Sequence, residues 1–121
     1  MPATREELEA ARDELRAGVA TARAGTSMDP LGAYHAYATW LIRHAPAAKQ
    51  NLFDLLKEAT DAHKDDQAVY NDPRFLDLWC WYATRVNRPG AVYTFCLKRK
   101  IGSMFAKLFI EYAQFLERAG E

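Results

Sequence analysis

Residues 72–83 read Asp-Pro-Arg-Phe-Leu-Asp-Leu-Trp-Cys-Trp-Tyr-Ala. The first two residues predict a helix start, because an aspartate side chain accepts from a free amide of the first turn and proline fixes φ at the first helical position. The helix is expected to run from Pro73 to Asn87 and is apolar almost all round, not along one stripe. Either neighbouring helices cover two of its faces, or some aromatic side chains stay exposed and anchor a peptide partner.

The same helix signals recur along the chain. Asp29 and Pro30 repeat the Asp-Pro start, Pro89 opens another helix, and Thr4 with Glu7 forms a capping box at the first. Apolar residues three and four apart mark further helices near residues 52–62 and 105–119, separated from their neighbours by short links, with a loop expected at residues 63–67. This pattern of about six helices predicts an all-α fold, a tetratricopeptide-like α-solenoid of antiparallel helices.

Composition excludes several classes of protein. The 121 residues are 50% hydrophobic and 26% charged with a net charge of zero, which is typical of a soluble, intracellular globular domain. Without a basic excess, nucleic acid is not an expected partner. No apolar run approaches the roughly 20 residues that span a bilayer, so a membrane is not expected either.

The residues that could carry chemistry do not converge on a site. His35 and His44 lie too far apart on one helix to share a metal, and the residues near His63 lack the ligand alternation and glycine of a calcium loop. Two cysteines, Cys80 and Cys96, stand in aromatic sequence and are expected to be buried and reduced. With no nucleophile motif or phosphate loop, the chain is predicted not to be an enzyme and to hold no metal and no cofactor.

Three groups of residues carry a resemblance to a known family. Residues 29–40 resemble the opening motif of the amino-terminal domain of the Bub/BubR/Mad spindle assembly checkpoint proteins, and residues 70–83 closely resemble its central motif. Residues 92–117 resemble its closing helices, so the likeness runs from about residue 29 to residue 120 in the right order. The resemblance implies a non-catalytic domain with a tetratricopeptide-like fold.

The resemblance also implies a function, which is docking onto short amphipathic helical motifs of the kinetochore scaffold protein called blinkin, or Spc in yeasts. The implied partner-binding residues are Trp79, Tyr82 and Arg85, the last two standing where the family has leucines. The implied location is the nucleus, at the kinetochore, and the cytoplasm is the alternative location during interphase. A general helical-repeat adaptor for another peptide is the alternative. Nothing in the 121 residues decides between a Bub kinase and a Mad-like inhibitor.

Other residues are expected to serve the fold itself. Residues 1–28 are predicted to form an amphipathic helix and linker that pack on the repeat array of residues 29–121. Relatives usually continue into another helix, so an exposed apolar face on the last helix here is expected to favour self-association. Gly102 is expected to permit the turn into that helix, and Arg74 to make a polar contact near a helix start. The predicted structural residues are Asp29, Pro30, Asp72, Pro73, Arg74, Phe75 and Gly102.

Overall fold

The computed structural model describes residues 2–120, which form six α-helices, one short 3-10 helix and no β-strand. The all-helical prediction is confirmed. The elements are α1 (Arg5–Arg23), α2 (Pro30–His44), α3 (Lys49–His63), the 3-10 helix Gln67–Val69, α4 (Pro73–Ala83), α5 (Pro89–Arg99) and α6 (Ala106–Arg118).

Proline opens three of the six helices. The Asp29 carboxylate accepts from the Gly32 amide at 3.1 Å at the start of α2, which satisfies one of the free donors of the first turn. At α5 the N-cap residue is Arg88, whose side chain makes no capping hydrogen bond. There the start depends on Pro89, which fixes φ and has no amide hydrogen to satisfy.

The described residues form two compact units, divided between Leu55 and Leu56. In the first unit α1 and α2 run antiparallel. Arg16 Nε donates to the Tyr37 hydroxyl at 3.0 Å, and a Cβ on Gly18, further along α1, would lie 3.9 Å from that of Ala33, which comes earlier in α2. The buried apolar residues of α1 and α2 are Val19, Leu31, Tyr34, Tyr37, Ala38 and Leu41.

The second unit contains the end of α3 and all of α4, α5 and α6. The last two helices are antiparallel, since Tyr93 stacks on Tyr112 at 5.5 Å while a Cβ on Gly90, earlier in α5, would meet the ring of Phe115 at 3.2 Å, later in α6. Its largest fully buried apolar side chains are Leu56, Phe75, Leu76, Leu78, Cys96, Ile101 and Leu108.

The loop predicted at residues 63–67 starts one residue too early. His63 belongs to α3 and is buried, with its Nδ1 3.0 Å from the Ala59 carbonyl oxygen and its ring edge-on to Phe75. The ring has a carbonyl partner and an aromatic neighbour, so it lies inside the unit and not in the solvated link. Beyond it, the Asp66 carboxylate accepts from Ala68 N and caps the 3-10 helix.

Candidate partner-binding surface

A carboxylate and a guanidinium fix the start of α4. The Asp72 carboxylate accepts a hydrogen bond from the Arg74 backbone amide at 2.9 Å. The Arg74 guanidinium donates to the same carboxylate from Nε at 3.1 Å and from Nη2 at 2.8 Å. The Asp72 side chain therefore caps α4 and also forms a bidentate ion pair with Arg74. Pro73 occupies the first helical position, and Phe75, two residues on, is fully buried.

Trp79 lies beneath the surface and not on it. Its side chain is only 6% exposed, with its ring 5.1 Å from that of Phe95 in α5 and edge-on to Phe75 in α4. Its Nε1 is buried and has no hydrogen-bond partner among residues 2–120. A buried indole N–H without a partner carries a desolvation cost, whereas the contacts of the Trp79 ring with Phe75 and Phe95 are favourable.

Two half-buried rings lie beside Trp79. Tyr82 meets it edge-on at 6.2 Å from α4, and Phe95 contacts it from α5. We call the patch formed by Tyr82 and Phe95 over buried Trp79 the aromatic seam, because it follows the line where α4 meets α5. Half-buried rings held against a buried one can bury further area against a partner at low entropic cost.

The structure corrects the predicted end of the aromatic helix. α4 stops at Ala83, not Asn87, and Thr84 is its C-cap. Arg85 therefore stands beyond the helix, where it is exposed and its Nη1 donates to the Trp81 carbonyl oxygen at 2.7 Å and to the Thr84 hydroxyl at 2.8 Å. Cationic side chains stabilise helix C-termini because the last carbonyls have no partner within the helix.

Phe95 and Arg99 also belong to this surface, although the sequence did not predict them as site residues. Phe95 is half-buried, and the Arg99 guanidinium lies 4.9 Å from the centre of its ring. Arg99 also donates to the Asp65 carboxylate at 2.8 Å, which holds the pKa of Asp65 below its ordinary value. The i,i+4 spacing of an aromatic and an arginine on α5 is the signal that could have found this pair.

Gly102 closes the turn that leads into α6. Its φ is +72°, and its amide donates to the Tyr70 carbonyl oxygen at 2.6 Å. A Cβ at this position would lie 2.8 Å from Leu76 Cδ1, closer than such contacts allow, so both the backbone angle and the space require glycine.

The two cysteines are buried free thiols. Burial raises the pKa of Cys96 to about 12, and burial together with a hydrogen bond to Glu111 raises the pKa of Cys80 above its ordinary range. Neither thiol ionises near neutral pH, so neither can act as a nucleophile there.

The described part of the chain offers no cluster of three or more His, Cys, Asp or Glu side chains able to hold a metal ion. Within residues 2–120 no helix has the length and apolar character needed to cross a membrane.

Comparison with known proteins places the chain in a family. The model of Mad3/BUB1 homology region 1 matches residues 6–121. The human mitotic checkpoint serine/threonine-protein kinase BUB1 beta is 31% identical over 91 residues, which is 74% of this chain and 9% of that protein. The mitotic spindle checkpoint component mad3 of Schizosaccharomyces pombe is 25% identical over 95 residues, 76% of this chain and 31% of that protein. The chain thus spans a small part of the length of these relatives.

Two solved structures share the fold. The conserved amino-terminal domain of the mitotic checkpoint component BUB1 superposes with a TM-score of 0.75 at 19% identity, covering 97% of this chain and 64% of that one. A chain of a mitotic checkpoint complex superposes with a TM-score of 0.77 at 23% identity, covering 99% of this chain and 58% of that one. At these identities the likeness establishes the tetratricopeptide-like fold. Because that family model matches nearly the whole chain, this chain belongs to the Mad3/BUB1 homology region 1 family and has its all-helical, tetratricopeptide-like fold.

Proposed function

We propose that this domain is the interaction module of a spindle assembly checkpoint protein and docks onto a short amphipathic helical motif of a kinetochore scaffold of the blinkin/Spc type. The observation that supports this proposal most directly is the aromatic seam, where Tyr82 and Phe95 are only half-buried above a buried Trp79. Membership of the checkpoint family supports the biological setting. On this proposal the protein acts at the kinetochore in the nucleus, with a cytoplasmic pool in interphase.

Within this proposal the three implied binding residues have different roles. Trp79 forms the floor of the seam, since its side chain is 6% exposed and already packed against two rings. Tyr82 offers the exposed part of its half-buried ring to the partner, and Arg85 flanks the seam from just beyond the end of α4. An apolar helix face would lie along the seam, which is helix-in-groove recognition.

The test is the affinity of the folded domain for a peptide carrying the scaffold's helical motif, measured by fluorescence anisotropy. Tyr82→Ala should weaken binding by about tenfold, the loss expected at a central aromatic contact. Tyr112→Ala is the matched control, because Tyr112 is also a half-buried tyrosine of the same unit but packs on Tyr93 in α5. The control should change the affinity by less than about twofold.

Trp79→Phe adds a second test that keeps an aromatic floor, whereas Trp79→Ala would leave a large cavity and cost about 3–5 kcal/mol of stability. Circular dichroism would show that each variant is folded. If Tyr82→Ala and Trp79→Phe both bound the peptide as the unchanged protein does, the seam would not be the docking site. Binding of an unrelated helical peptide with equal affinity would favour a general adaptor.

A further inference from the structure

Charge is distributed very unevenly along this neutral chain. Between Asp77 and Glu111 no acidic residue occurs, and the basic residues in that interval are Arg85, Arg88, Lys98, Arg99, Lys100 and Lys107. The interval contains the end of α4, all of α5 and the start of α6, and therefore both ends of the aromatic seam.

Helical geometry brings part of this charge beside the seam. At about 100° per residue, Arg88, Phe95 and Arg99 fall within roughly 40° of one another around α5. Arg88 and Arg99 are separated by about 16 Å along the axis at 1.5 Å per residue, so they stand at the two ends of a strip about three turns long. Phe95 lies between them, with the Arg99 guanidinium against its ring.

Most of these charges are not neutralised within the described residues. Arg99 pairs with Asp65 and Lys107 with Asp77, whereas the exposed side chains of Arg88, Lys98 and Lys100 make no ion pair anywhere in residues 2–120. Arg85 donates to a carbonyl and a hydroxyl oxygen but to no carboxylate. Lys98 follows Phe95 by three residues and so neighbours it on the surface of α5, whereas Lys100, five residues after Phe95, is turned about 140° away from it. We call Arg85, Arg88 and Lys98 the basic rim.

We propose that the basic rim selects a partner helix whose apolar face is flanked by acidic side chains. This inference rests on the proposed docking function and specifies the chemistry of its partner. The apolar face lies on Tyr82 and Phe95, with carboxylates facing Arg85 and Arg88 at one end of the strip and Lys98 at the other. Each exposed ion pair adds little to the stability of a complex. A complementary set of charges nevertheless raises the association rate and disfavours partners whose charge has the wrong sign.

A peptide fits these observations better than a nucleic acid. The chain has no net positive charge, and Asp65 lies beside Arg99 at one end of the strip. Phe95 and Tyr82 are half buried and contact the Trp79 ring, and the Arg99 guanidinium already lies against the Phe95 ring, whereas single-stranded nucleic acid is bound by stacking bases on exposed aromatic faces.

The experiment uses the whole chain and three versions of the scaffold's motif peptide, with the same apolar face but Glu, Gln or Lys at the positions beside it. The Glu peptide should bind roughly tenfold tighter than the Gln peptide, and the Lys peptide weaker than both. Raising sodium chloride from about 0.1 M to about 1 M shortens the Debye length from about 10 Å to about 3 Å and should abolish the difference.

A double variant tests the residues directly. Arg88→Glu with Lys98→Glu should remove the preference for the Glu peptide and leave binding of the Gln peptide within about twofold. The matched control is Lys49→Glu with Lys57→Glu, two exposed lysines of α3. The control should keep the preference.

The outcomes separate the two proposals. Equal affinity for the Glu and Gln peptides would overturn the acidic-partner inference while leaving docking at the seam intact. If none of the three peptides bound, the docking function would fail and this inference with it. Displacement of the Glu peptide by duplex DNA at equal concentration would also overturn the inference, because the basic rim would then be a binding site for the phosphate groups of nucleic acid.

Discussion

At the scale of single residues, Gly102 shows how a backbone angle and a close contact act together. Its positive φ alone would tolerate asparagine or aspartate at modest cost. The Leu76 side chain, 2.8 Å from where a Cβ would stand, removes that tolerance. Gly25 shares the positive φ, at +78°, but nothing lies within 4 Å of its Cβ position.

Gly102→Ala should therefore destabilise the domain more than Gly25→Ala. We expect a loss of about 2–4 kcal/mol at Gly102, where backbone strain and overpacking add, and about 1 kcal/mol at Gly25, where strain acts alone. Urea unfolding of both variants checks this. Equal losses would show that the Leu76 side chain moves aside freely.

At the scale of elements, α4 is specified most firmly at its start and least firmly at its end. Asp72, Pro73 and Arg74 fix the first turn through a cap, a constrained φ and a bidentate ion pair. At the other end no glycine or proline stops the helix directly, and the periodic pattern of apolar residues continues to Val86. The helix nevertheless ends at Ala83, since Thr84 and Arg85 satisfy the carbonyl oxygen of Trp81 and Pro89 follows closely.

Replacing Asp72 separates its two roles. Asp72→Ala removes both the cap and the ion pair and should cost about 1–2 kcal/mol, whereas Asp72→Asn keeps a capping oxygen and should cost less than about 1 kcal/mol. Thermal unfolding of the two variants gives the comparison. An Asp72→Asn loss as large as that of Asp72→Ala would mean that the ion pair with Arg74 provides most of the stabilisation.

At the scale of the whole molecule, α6 is the helix, among those of residues 2–120, that carries exposed large apolar side chains. Leu108 is fully buried, whereas Phe109 and Ile110 are 51% and 54% exposed and Met104, just before the helix, is 76% exposed. Exposed apolar side chains grouped on one helix mark an association surface. The sequence predicted self-association through this helix, and the exposure of Phe109 and Ile110 gives that prediction a definite location.

The prediction is that this 121-residue chain self-associates at high concentration and that Phe109→Glu with Ile110→Glu makes it monomeric. Sedimentation equilibrium over a range of concentrations measures the change. The control Gln114→Glu adds a charge to an exposed position of α6 and should leave association nearly unchanged. A monomer at every concentration for the unchanged chain would contradict the prediction.

The sequence by itself determined the helical class and most helix starts, because a capping side chain and proline act within one turn and need no distant partner. It also identified the aromatic helix. Only the tertiary structure decided how that helix is used. Trp79 is buried because Phe95 of α5 covers it, Leu108 and not Phe109 faces inward, and α4 ends before Arg85. The reason is physical: which face of an apolar helix is covered depends on neighbours brought together by folding, and one helix's periodicity does not contain that information.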